Sequence, residues 1–231
     1  MNEPELGVAA GGCLVAVALL IALVAVASRG RSHRRRTRLQ QWSEANGWTL
    51  VAKPVVDWGS RLPGGNKHGV SLALFGELWG RHTSIGEYSF AETTTTSAPD
   101  GHGGTTGATT TSTHQYVVVV LHLDQPSGYL GVLPRGVLSR WGLTLFGGGS
   151  SIGQEAFDKH YRVVGDPATA AYRLPGELIA AHVEGTAPLW TLYGTELVTW
   201  FPGRIDLDRV ADLAGPLHQV ATMLTGVDAA R

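Results

Sequence analysis

The longest uninterrupted apolar stretch of the chain comes at its start. From Leu6 to Ala27 there are 22 residues without a charge, eleven of them Leu, Ile or Val. As a helix this run rises about 33 Å at about 1.5 Å per residue, enough for a hydrocarbon core of about 30 Å. Glu3 and Glu5 precede it, and Arg29, Arg31, Arg34, Arg35, Arg36 and Arg38 follow it. A secretory signal carries its basic residues before the apolar core, so this order argues against cleavage. Cys13 has only Val8-Ala9-Ala10-Gly11-Gly12 ahead of it, too short and too weakly apolar for a lipoprotein signal. A buried core helix of this length would have to be apolar on every face. The pattern predicts a transmembrane anchor over residues 1–28 and a basic juxtamembrane segment over 29–38. Arginine-rich flanks stay on the cytoplasmic side. The expected topology is a single pass through the cell membrane, N-terminus outside and residues 29–231 in the cytoplasm.

Beyond residue 38 the pattern shortens to that of one α+β domain over residues 39–231. Leu39, Trp42 and Ala45 predict a short helix over 37–46, stopped by Gly47. Trp48 to Ala52 reads as a strand, and 54–68 as loop with Trp58 in the core. Val70–Trp79 and His82–Thr93 read as two arms of a hairpin turning at Gly80-Arg81. Residues 93–113 hold ten threonines with Gly, Ser and Ala and no large apolar side chain, and are expected to form a flexible loop. His114–Asp124, with four consecutive valines, is the strongest strand and suits a central position covered on both faces. Weaker strands are expected at 129–133, 142–146 and 161–164. Short helices are expected at 154–160, from Asp166-Pro167 to about Arg173, and from Pro175 to His182. Leu189–Leu192 and Glu196–Phe201 read as a closing hairpin with its turn at Tyr193-Gly194. Asp206 should cap an amphipathic C-terminal helix to about Leu224, bent at Pro216. Strand runs followed by helices, without a βαβ rhythm, predict a mostly antiparallel sheet packed with helices.

The charge is unevenly spread. Residues 1–38 carry six arginines against two glutamates, and residues 39–231 carry twelve basic and seventeen acidic side chains. A mildly acidic domain repels polyphosphate, so nucleic acid is not an expected partner. One cysteine excludes an intramolecular disulfide and any metal site built on paired cysteines.

Several short motifs stand in a recognisable order: the apolar span, the arginine collar, Ala45-Asn46-Gly47-Trp48, Glu87–Phe90, Glu155–Val163, Asp166-Pro167, and Trp200–Arg204. This order resembles an uncharacterised family of single-pass membrane-anchored actinobacterial proteins, built on a domain of unknown function. The resemblance implies a membrane location and an α+β cytoplasmic domain. It implies no activity and no catalytic residues.

One enzyme pattern is present. Gly149-Ser150-Ser151-Ile152-Gly153 fits G-x-S-x-G, the nucleophile elbow, with Asp166 and then His182 or His218 in the order a hydrolase triad would need. The parallel sheet that such an elbow requires is not visible upstream. The glycine-rich segment lacks the Gly-Lys-Ser/Thr of a phosphate cradle. The nine histidines lack paired metal-ligand spacing, and His114 and His122 lie too far apart on one strand face to share an ion. Asp206, Asp208 and Asp212 are accounted for by the positive end of the last helix. The seven tryptophans fall mostly at element ends and are accounted for by core packing. No cofactor is expected. The expected function is non-catalytic protein interaction or scaffolding by a membrane-tethered domain, with the lipid bilayer and a protein as partners. The alternatives are a serine hydrolase using Ser151, and anionic-lipid binding through Arg29, Arg31, Arg34, Arg35, Arg36 and Arg38.

Overall fold

The computed structural model describes residues 33–62, 69–99, 105–135, 149–165 and 174–228. The expected anchor Leu6–Ala27, Arg29, Arg31, the strand expected at 142–146 and the helix expected from Asp166 lie outside these residues. Among the described residues no helix is long and apolar enough to cross a membrane. The chain divides into two compact units, Met1–Gly47 and Trp48–Arg231.

In the first unit residues 33–45 are helical and are called α1. The helix ends where Gly47 takes φ +73°, a left-handed value that glycine adopts without strain. The Asn46 backbone N–H and side-chain amide both donate to the Trp42 carbonyl, at 3.1 and 2.8 Å.

The second unit is built on a sheet of six strands, all paired antiparallel. They are β1 (Thr49–Ala52), β2 (Val70–Leu78), β3 (Arg81–Pro99), β4 (Thr105–Pro134), β5 (Tyr161–Gly165) and β6 (Trp190–Pro202). Among the described residues it also holds helices α2 (Glu155–Asp158), α3 (Gly176–Val183) and α4 (Val210–Asp228), with 3-10 turns at Asp57–Arg61 and Leu207–Arg209. The architecture is the mostly antiparallel α+β arrangement that the pattern predicts.

Strand β4 organises the sheet. Its first part pairs with β3, its last residues Leu130–Pro134 pair with β5, and β6 runs along the other edge from Tyr116 to Val132. Val117, Val118, Val119 and Val120 are buried on both sides of this central strand, as four successive valines require. On one face Ala73, Tyr88, Phe90, Tyr116, Val118, Val120 and Val198 pack under Trp58 and Leu62. On the other, helix α4 lies against β4 and β6, with Val210, Ala214, Leu217, Val220 and Ala221 buried. Each fully buried valine or leucine there contributes roughly 1.5–3 kcal/mol. Asp206 caps the entry to this helix by accepting from the Asp208 N–H at 3.2 Å, and the helix continues through Pro216.

Three expectations need correction. The β2–β3 turn is Trp79-Gly80, one residue earlier than expected; both residues have positive φ, +51° and +77°, as a two-residue hairpin turn of the right twist requires. The threonine-rich stretch 93–113 is not a loop in its described parts. Thr93–Pro99 pairs in register with Thr105–Thr111, continuing β3 and β4 as a two-stranded ribbon. Threonine lacks apolar bulk but is β-branched, and cross-strand pairs such as Thr93–Thr111, with hydroxyls 3.2 Å apart, support strand pairing without a core. The expected closing hairpin is one strand, β6. Tyr193-Gly194 does not reverse the chain: Gly194, at φ +60°, sits where the β4–β6 register slips beside Ser127, which marks a bulge.

Candidate functional site

A cleft of about 230 Å³ opens where the ribbon leaves the sheet. Its walls are Ser71, Glu87, Tyr88, Ser89, Gln115, Tyr116, Gly203 and Arg204. Strands β2, β3 and β4 supply the floor. Past Pro202, Gly203 takes φ +124°, which turns the chain away from β6 and back over the floor.

Three hydrogen bonds hold that crossing segment. The Gly203 N–H donates to the Gln115 carbonyl at 2.9 Å. Arg204 Nε donates to Gln115 Oε1. The Ile205 N–H donates to Glu87 Oε1 at 2.8 Å. Glu87 is 8% exposed and Ile205 5%, so the carboxylate satisfies an amide that water cannot reach. The Ser71 hydroxyl donates to the Glu87 carbonyl at 3.1 Å and ties β2 to the same place. The side-chain groups left facing the opening are hydroxyls, an amide and a guanidinium, which recognise polar surfaces by hydrogen bonding. Two of the short motifs quoted above, Glu87–Phe90 and Trp200–Arg204, meet here although more than a hundred residues separate them.

Among the described residues, those expected for a hydrolase have other partners. The Ser151 hydroxyl accepts from Arg135 Nη2 at 2.5 Å, and a guanidinium cannot take up a serine proton. Asp158 accepts from the Ile152 and Gly153 N–H groups at 3.0 and 2.9 Å. Ser150 bridges to Val163 through both of its backbone groups. The described residues of the G-x-S-x-G segment are therefore pinned beside β5 by bonds to Val163 and Asp158. His182 is fully buried and bonded to Trp190. The His218 ring lies tilted against Trp79, with centroids 4.9 Å apart. Asp166 lies outside the described residues.

Among the other singled-out residues, His114 stacks on Phe90 at 5.1 Å between ring centres, and His122 faces Glu196 across the β4–β6 ladder. Burial, then His82 and Arg61, pushes the His122 imidazole below its usual range. Among the described residues no group of three metal-ligating side chains forms. Trp48, Trp58 and Trp190 are core residues, whereas Trp79 is half exposed. Arg34, Arg36 and Arg38 are exposed on α1, and Arg35 is half-buried. Sequence reasoning missed the cleft. Its signal was Gly203 after a strand-ending proline, followed by a basic residue.

No protein-family model matches the chain, and no curated protein matches it. Among solved structures the fold is similar to that of the mycobacterial trehalose monomycolate transport factor A, TtfA, with a TM-score of 0.52 and 10% identity. The match covers 80% of this chain and 91% of that one. At that identity the likeness is one of fold.

Proposed function

We propose that this chain is a membrane-tethered, non-catalytic accessory domain that holds a protein partner at the bilayer. The observation that carries this reading is the cleft: its buried carboxylate is spent on a backbone amide, and what faces outward is a set of hydrogen-bonding groups without an assembled nucleophile and base. The fold likeness to a transport factor supports an accessory role of that kind. In this reading residues 1–28 span the membrane and the arginines from Arg29 to Arg38 hold the domain at the cytoplasmic leaflet, each worth about 1 kcal/mol near anionic headgroups.

A photo-crosslinking amino acid placed at Ser89 or Gln115 of the full chain, in intact cells, tests the docking surface. The expected result is one discrete protein adduct at both positions, lost when Arg204 is changed to Ala. Absence of any protein adduct at either position overturns the reading. Carbonate washing of membranes tests the tether separately: the intact chain should stay with the bilayer.

A further inference from the structure

The pinned turn at Gly149–Ser151 borders an unusual arginine. Arg162 lies on β5 and is 5% exposed, yet its Nε and Nη2 are buried without a hydrogen-bond partner. Its side chain runs across the backbone of Gly149 so closely that a Cβ there would stand 2.7 Å from Arg162 Cδ. A Cβ at 149 would therefore force the arginine beside it to shift, which accounts for one of the two outer glycines of the G-x-S-x-G pattern.

Among the described residues no carboxylate pairs with Arg162. Burial lowers its pKa, the Tyr129 phenol opposes that shift, and the neighbouring Arg135 adds to it. Burial also pushes the Tyr129 phenol up, so it stays neutral at physiological pH. Arg135 lies at the rim with its side chain 45% exposed. It donates through Nε to the Tyr161 carbonyl at 3.0 Å and through Nη2 to the Ser151 hydroxyl. Among the described residues the carboxylate paired with Arg135 is that of Asp158, at 3.9 Å, and it already accepts from Ile152 and Gly153. A buried guanidinium with two unused donors is costly unless an anion completes it.

We propose that Arg162 and Arg135, with the hydroxyl of Ser151 between turn and rim, form a binding site for a phosphate group. Arg162 is the floor and supplies a forked pair of donors suited to two oxygens of one phosphate. Arg135 and Ser151 supply the exposed rim. The phosphate belongs either to a lipid headgroup or to a soluble phosphate compound. The site is independent of the docking cleft, which lies at the root of the ribbon.

The test uses the full chain in nanodiscs and reads thermal unfolding against added inorganic phosphate, with chloride at matched ionic strength as control. In phosphatidylcholine discs, phosphate should raise the midpoint in a saturable way. Arg162→Met should raise the midpoint in the absence of phosphate, because it removes an uncompensated buried charge, and should abolish the phosphate increment. Arg135→Met, at an exposed position, should weaken the apparent affinity by roughly tenfold or more. In phosphatidylglycerol discs, loss of the phosphate increment identifies the headgroup as the source, and its persistence identifies a soluble compound. A midpoint that responds to phosphate no more than to chloride overturns the proposal, as does an increment that survives Arg162→Met.

Discussion

The indole Nε1–H of Trp190 donates to Nε2 of His182 at 3.1 Å, with both side chains fully buried. This bond joins α3 to β6 and requires the imidazole to be neutral at Nε2. Phe157 lies edge-on to the same ring at 5.9 Å and Tyr161 lies tilted to it at 5.1 Å, so its described ring neighbours are uncharged. Burial accordingly pushes the His182 imidazole down to about 4.

That shift makes the fold acid-sensitive. The unfolded histidine takes up a proton near pH 6.5 and the folded one only near 4, so the unfolded state binds more protons between these values. Stability is fully present above about pH 6.5 and falls as the pH drops toward 4, by on the order of 3 kcal/mol. Urea unfolding at pH 7.5 and pH 5 should show a lower midpoint at pH 5. His182→Phe should be less stable at pH 7.5, since the Trp190 N–H loses its acceptor, but should show a smaller drop between the two conditions. An unchanged pH slope in that variant would remove His182 as the cause.

Two strand glycines serve as seats for tryptophans. A Cβ at Gly76 would stand 2.3 Å from the Trp48 ring, and one at Gly86 would stand 2.8 Å from the Trp58 ring. Gly76→Ala and Gly86→Ala should each destabilise by about 1–3 kcal/mol through overpacking. Gly107→Ala, in the ribbon, meets nothing closer than 3.9 Å and should be near neutral. Chemical denaturation of the three variants checks the order.

The ribbon should be dispensable for folding. Its described side chains from Thr93 to Thr96 and from Gly107 to Thr113 are exposed. Joining Glu92 to Ser112, a registered pair, through an Asn-Gly turn should shift the melting temperature by no more than about 4 °C, equivalent to about 1 kcal/mol for a chain of this size. A larger loss in calorimetry would mean that the ribbon carries core contacts.

Glu87 should act structurally. Glu87→Gln retains an oxygen for the Ile205 N–H and should be mild. Glu87→Ala strands that buried amide and should cost roughly 1–3 kcal/mol. Hydrogen exchange at Ile205 should accelerate in the alanine variant and stay slow in the glutamine variant.

Ser151 should not react as a nucleophile. A fluorophosphonate probe should label the wild-type chain and Ser151→Ala equally weakly, because the serine's bonded partner is Arg135. Labelling that disappears with Ser151→Ala would restore the hydrolase reading.

Much of the element order is legible in the residues alone, because helix and strand periodicities and their glycine or proline stops are local free-energy preferences. Four successive valines announce a doubly covered strand, Asp206 announces a helix start, and the spacing from Val210 to Ala221 announces the buried face. What the tertiary structure decided is non-local. Tyr193-Gly194 has the composition of a turn, but pairing along β4 holds both sides of it in one strand and leaves a bulge. The threonine run has no core to bury, but each strand of the ribbon finds its partner because the sheet below has already set the register. Glu87 reads as a polar residue in a strand until the segment after Pro202 brings the Ile205 amide to it, across 118 positions of chain. Such contacts lower the free energy only after the whole sheet has formed, so no local window of residues encodes them.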